Sequence, residues 1–203
     1  VALAGTGLLG ASLSAQPASR TFYALTFSAA GTWLVGGLVA EPLHWESLRG
    51  DERSLGHLVA VPVLTGVAAF GAFFGAALVA RRIPVLNDAL TSVLTYAERG
   101  ADSLVLATTL ANGVAEEVFF RGSLFSAVGP AHPVAASTAV YMLATSATRN
   151  PALVLASGVM GTLFAVQRRS SGGLLAPILT HVTWSTLMLR YLPALFRKPP
   201  LRA

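Results

Sequence analysis

The sequence predicts an all-α fold, a multi-span transmembrane helix bundle of about six spans plus a partial N-terminal one. Three observations carry that prediction. Of its 203 residues, 54% are hydrophobic and only 11% are charged, with a mean hydropathy of +0.64; a soluble domain carries roughly twice that charge. The apolar residues form long runs rather than the short alternating segments of a membrane β-barrel. Backbone polar groups at lipid depth must be satisfied within their own segment, which leaves helices as the spanning element.

The segments follow in order. Val1 to about Ala15 is apolar and Gly-rich but short, and reads as the end of a span. The chain opens on Val1 rather than Met, so it reads as a trimmed or partial protein, and no signal peptide is read from it. Phe22 to Ala40 is a full span with Tyr23 and Trp33 inside it. Glu41 to Ser54 is polar and mixed in charge, a loop that holds His44 and an interfacial Trp45. Leu55 to Ala80 is the longest apolar run, and its Gly and Ala residues permit close helix packing. Arg81, Arg82 and Pro84 stop it. From Asn87 to Glu98, Leu90, Val93, Leu94 and Ala97 recur at helical spacing with Asp88 and Glu98 outside the stripe, which predicts a short interfacial helix. Ala101 to Val128, Val134 to Thr148, Ala152 to Val166 and Leu174 to Leu195 are the remaining apolar segments. The middle two are shorter than a bilayer normally requires. A turn of Gly129, Pro130, Ala131, His132 and Pro133 separates the first two, and His132 and His57 read as interface residues.

The formal charge is +5, from thirteen Arg, a single Lys and nine acidic residues. Most arginines fall at segment ends, where anchoring at lipid headgroups explains them. The bilayer is therefore the expected partner and nucleic acid is not. With Arg81, Arg82 and the basic tail of Arg197, Lys198 and Arg202 placed in the cytoplasm, the spans alternate consistently. Arg168 and Arg169 then fall outside, against the positive-inside rule. The Arg excess and abundant Ala point to a bacterial cytoplasmic membrane. There is no Cys, which excludes a disulfide framework, a thiol nucleophile and a thiolate metal site.

Against that apolar background stands Glu116-Glu117-Val118-Phe119-Phe120-Arg121. Ionisable groups at lipid depth cost a few kcal/mol each on insertion scales, so they require a partner, a water-filled cavity or a function. Glu117 and Arg121 are four residues apart on one helix face and form the expected structural ion pair. Glu116 points about 100° away from Glu117, so the same arginine does not easily serve both. Asn112, one turn earlier, is placed to hydrogen-bond it. Two readings of Glu116 stay open: a protonated carboxyl bonded to a neighbouring helix, or a general base. His181 likewise reads either as an interhelical hydrogen-bond donor or as part of a site.

The Glu-Glu-x-x-x-Arg run, followed by Gly122 and Leu124, resembles the first motif of the CAAX-protease and bacteriocin-processing (CPBP, Abi-like) family of intramembrane proteases. Gly172-Gly173-Leu174-Leu175-Ala176-Pro177-Ile178-Leu179-Thr180-His181 is similar to the run that precedes the family's last motif. The resemblance implies residues 1–100 as N-terminal transmembrane helices with an interfacial helix, 101–196 as a protease-like core, and 197–203 as a basic tail. The second and last motifs depart from the pattern. Tyr141 to Thr145 has Tyr for Phe and Thr for His, and His181 to Ser185 has Ser for Asn. The family's water- or metal-binding set then maps to Glu116, Thr145, His181 and Ser185.

Zinc takes three or four His, Cys or carboxylate ligands. Glu116 and His181 supply two, so no cofactor is expected and zinc is poorly supported. What the resemblance implies is an endopeptidase in which Glu116 activates water, His181 assists at the oxyanion, and Thr145 and Ser185 are auxiliaries. Its substrate or partner is a membrane protein or peptide. The departures at Thr145 and Ser185 equally support a non-catalytic family member that binds a membrane protein. Ser157-Gly158 with His181 resembles a rhomboid-type dyad only faintly, and Ser157 with Gly161 reads as a packing pair. The Gly66 to Gly75 stretch lacks the lysine and strand of a phosphate loop. A proton-carrying transporter would show inverted repeats or broken-helix pairs, and neither is seen.

Overall fold

The computed structural model describes residues 1–40 and 55–196. The loop with His44 and Trp45, and the tail of Arg197, Lys198 and Arg202, lie outside the described residues. Among those described, the chain is helical throughout: α1 (Ala2–Ser12), α2 (Arg20–Ala40), α3 (Leu55–Ala80), α4 (Pro84–Arg99), α5 (Asp102–Ala127), α6 (Pro133–Ser146), α7 (Pro151–Ser171) and α8 (Leu175–Phe196). Pro84, Pro133 and Pro151 each open a helix, where the ring presets the backbone and no N–H is needed. Asn150 caps α7 by accepting from the Leu153 N–H at 3.1 Å. Gly172 ends α7 at φ +70°, a left-handed conformation that favours glycine.

Among the described residues, four helices are long and apolar enough to cross a membrane: α2, Gly56–Ala80 within α3, α5 and α7. The sequence predicts about six spans, and the difference has a physical reason. At 14 residues, α6 reaches roughly 21 Å, short of a hydrocarbon core of about 30 Å. The 22 residues of α8 suffice in length, but His181, Ser185 and Arg190 lower its hydropathy. In the other direction, α7 continues past Val166 to Ser171 and becomes long enough. The span in α3 has a mean hydropathy of 2.1 with only 11% of its most apolar window buried inside the protein. Val59, Val61, Leu64, Val67 and Val79 all face outward. A surface this apolar belongs against lipid, and the chain is an integral membrane protein.

The bundle is organised around α5. On one side α2 presents Trp33, fully buried and edge-on to Phe120 with ring centroids 5.6 Å apart. Ala29, Ala30, Ala115, Phe119 and Ala144 complete that core. On the far side α3 lies against α8. A Cβ on Gly66 would sit 2.7 Å from Thr183 Cβ and 2.9 Å from the Thr180 carbonyl oxygen, so the two backbones are in close contact. Thr180 also donates to the Pro62 carbonyl at 2.9 Å. Helix α4 follows the sequence stripe, with Ala89 and Leu94 buried and Asp88 and Glu98 exposed. Tyr96 ties it to the chain after α1, donating to the Leu13 and Ala15 carbonyls at 2.7 and 2.8 Å.

The Gly66 contact makes a prediction. Gly66→Ala forces α3 and α8 apart and destabilises the fold by about 1–3 kcal/mol, read as a lower unfolding temperature of the purified protein in detergent. An unchanged temperature would mean that the two helices are not close-packed there.

Candidate active site

The site is built on a local widening of α5. Glu117–Ser123 is π-helical, and the Leu124 N–H reaches back five residues to the Phe119 carbonyl. A π-bulge misaligns the backbone ladder and often marks a functional site. Two of its carbonyls take side-chain donors. Phe120 O accepts from the buried Ser137 hydroxyl at 2.7 Å, and Arg121 O accepts from Arg168 Nε at 2.9 Å. Arg168 thus turns inward as a backbone donor, where the sequence places it at lipid headgroups. It also donates to the Gly172 carbonyl.

The predicted ion pair forms, with both partners fully buried and Arg121 Nε 3.4 Å from Glu117 Oε2. Arg121 Nη2 donates to the Gly161 carbonyl at 3.1 Å. Its guanidinium lies 4.5 Å from the Tyr141 ring centroid and 5.3 Å from that of Phe164, a setting that suits a planar cation. Glu117 has a second partner. Its Oε1 lies 2.8 Å from His181 Nδ1, and the imidazole stacks on Phe164 at 4.6 Å and 17°. A carboxylate bonded to one ring nitrogen fixes the orientation of the imidazole.

Glu116 has a different environment. It is buried at 9% exposure, and its Oε2 accepts from the Tyr141 hydroxyl at 2.6 Å. It lines a cavity of about 340 Å3 together with Asn112, Trp184 and Ser185, among apolar side chains of α1, α2, α4, α7 and α8. Asn112 does not bond Glu116 as the sequence suggests. Its amide donates instead to the Thr108 and Thr26 carbonyls at 2.9 and 3.3 Å. Among the described residues, Asn112 Oδ1 and Trp184 Nε1 are buried without a hydrogen-bond partner.

The four mapped residues therefore divide. Glu116 and Ser185 share the cavity, whereas Thr145 and His181 are not among its walls. The buried Thr145 hydroxyl donates to the Tyr141 carbonyl at 2.8 Å, and His181 holds Glu117. Among the described residues no three His, Cys, Asp or Glu side chains gather in a metal-binding group. Glu116 and His181 would give zinc two ligands where it takes three or four. Ser157 donates to the Val154 carbonyl at 2.8 Å, in keeping with a packing role. Sequence reasoning missed Tyr141 as the partner of Glu116. The available signal was a hydroxylated ring one turn before Thr145, on the same face of α6.

Residues 101–187 match the family model described as type II CAAX prenyl endopeptidase Rce1-like. The matched segment contains Glu116, Glu117, Arg121, Tyr141, Thr145, His181 and Ser185, and its description agrees with the resemblance read from the motifs. No curated protein and no solved structure matches the chain.

The buried pair carries its own prediction. Arg121→Ala leaves Glu117 without its arginine and costs about 3–5 kcal/mol, measured as loss of folded protein from the membrane fraction. Replacing Glu117 and Arg121 together with Met recovers much of that loss, because paired removal leaves no orphaned charge. A double variant as unstable as the single one would contradict the pairing.

Proposed function

We propose that this chain, whose residues 101–187 belong to the Rce1-like family of CAAX-type endopeptidases, is an intramembrane endopeptidase that cleaves a membrane-associated polypeptide with glutamate-activated water. The family is a protease family and the protein is integral to the membrane. One observation supports the finer reading most directly. Of two adjacent buried carboxylates, Arg121 and His181 hold Glu117, while Glu116 has no cation within hydrogen-bonding reach among the described residues and lines the cavity.

In this mechanism Glu116 takes a proton from a water as its oxygen attacks the scissile carbonyl carbon. The carbonyl oxygen gains negative charge, and Ser185, which lines the same cavity as Glu116, donates to it; His181, outside that cavity, assists by holding Glu117. Collapse of the tetrahedral intermediate breaks the C–N bond, and Glu116 returns the proton to the leaving amine. Thr145 acts indirectly, through the α6 backbone at Tyr141. Glu117 and Arg121 form the scaffold. No step requires a metal. The largely apolar cavity suits a substrate that presents apolar side chains beside its scissile amide. We place the protein in a bacterial cytoplasmic membrane with its basic C-terminal tail inside.

A second reading has its own support. The Thr145 hydroxyl proton serves the Tyr141 carbonyl and His181 Nδ1 serves Glu117, so few donors remain for an oxyanion. A chain of this kind would use the same cavity to bind a membrane protein as an assembly subunit.

Glu116→Gln separates the two readings. Gln keeps the shape and can still accept from Tyr141, but it cannot act as a base. Expressed at matched abundance in a strain lacking the gene, the variant fails to rescue, and cleavage of membrane substrates falls about a hundredfold or more. Full rescue would sink the catalytic reading and leave the binding one.

A further inference from the structure

We propose that Tyr141 is the positioning residue for Glu116: its hydroxyl holds Oε2 and leaves Oε1 as the oxygen that receives the proton from water. The inference deepens the catalytic reading above and rests on it. Neither motif spacing nor the ion pair requires this contact. The O–H···O distance of 2.6 Å is that of a short, well-formed hydrogen bond. Without it a carboxylate buried to this degree would have no donor within the contacts seen, because Arg121 and His181 both serve Glu117.

The phenol is also held in place. Its ring lies 4.5 Å from the Arg121 guanidinium and 4.8 Å from the Phe120 ring centroid. Across the interface, a Cβ on Gly161 would sit 3.1 Å from Tyr141 Cδ1 and 3.1 Å from Arg121 Nη2. The missing side chain at Gly161 therefore lets ring and guanidinium both reach α7. A donor locked this way fixes the direction of the carboxylate before substrate arrives, which is the usual requirement for a precise general base. On this face of α6 the Thr145 hydroxyl donates to the Tyr141 carbonyl, so the phenol is the side-chain donor that reaches Glu116.

The test uses the full chain, purified in detergent, as wild type, Tyr141→Phe and Glu116→Gln. Phe keeps the ring against Arg121 and Phe120 and removes only the hydroxyl. Two readouts are taken. In the first, kcat for a cleaved transmembrane peptide falls about tenfold to a hundredfold in Tyr141→Phe, with KM and the unfolding temperature little changed. In the second, the infrared carboxylate bands of Glu116 are identified by their loss in Glu116→Gln. Their antisymmetric–symmetric splitting narrows in Tyr141→Phe, because losing a bond to one oxygen makes the two C–O bonds more alike. An unchanged kcat, or unchanged bands, overturns the proposal. If the wild type cleaves nothing, the protease reading fails separately, and the infrared bands still decide whether Tyr141 holds Glu116.

Discussion

Two carboxylates at membrane depth share one arginine, and the rest of the site follows from how that shortage is resolved. Burying an unpaired charge is expensive, and removing one partner of a buried pair costs more than the pair itself contributes. Arg121 goes to Glu117, four residues away on the same helix. His181, from a helix 64 residues along the chain, adds a second contact to the same carboxylate. Glu116 then takes a neutral donor, the Tyr141 phenol, and borders an apolar cavity. The same constraint thus gives adjacent glutamates different surroundings, an ion-paired one at Glu117 and a cavity-lining one at Glu116.

Holding this arrangement in a helix has a backbone consequence. The π-helical turn carries Glu117 and Arg121 within it, and two of its carbonyls are satisfied from two other helices, by Ser137 on α6 and Arg168 on α7. Each of those donors is also a tether that docks its helix on α5. The glycines act in the same sense. Gly161 admits the arginine and the phenol, and Gly66 lets α3 approach α8 closely. Packing and polar satisfaction are therefore one problem here, as expected where no water is at hand to complete a hydrogen bond.

Much of this was legible in the sequence. Low charge and long apolar runs gave the membrane bundle, the stripe from Leu90 to Ala97 gave α4, and the Glu117–Arg121 spacing gave the ion pair. The motif resemblance pointed to the segment that the family match covers. What was not legible depends on contacts between helices. No spacing rule pairs His181 with Glu117 or Tyr141 with Glu116, and no residue pattern announced the π turn. Arg168 read as a headgroup anchor because it sits at a segment end, yet a free carbonyl on a neighbouring helix turns it inward. The span count differs because α6 ends after 14 residues and because His181, Ser185 and Arg190 lower the hydropathy of α8.

The division of labour between the two glutamates is tested most directly by thermal unfolding of Glu116→Gln and Glu117→Gln side by side in detergent. Neutralising Glu117 strands the buried Arg121, so that variant unfolds at a clearly lower temperature, in line with the ~3–5 kcal/mol cost of breaking a buried pair. Neutralising Glu116 strands no cation and leaves an acceptor for Tyr141, so that variant stays close to the wild type. Equal losses, or the reverse order, would contradict the assignment of structure to Glu117 and chemistry to Glu116.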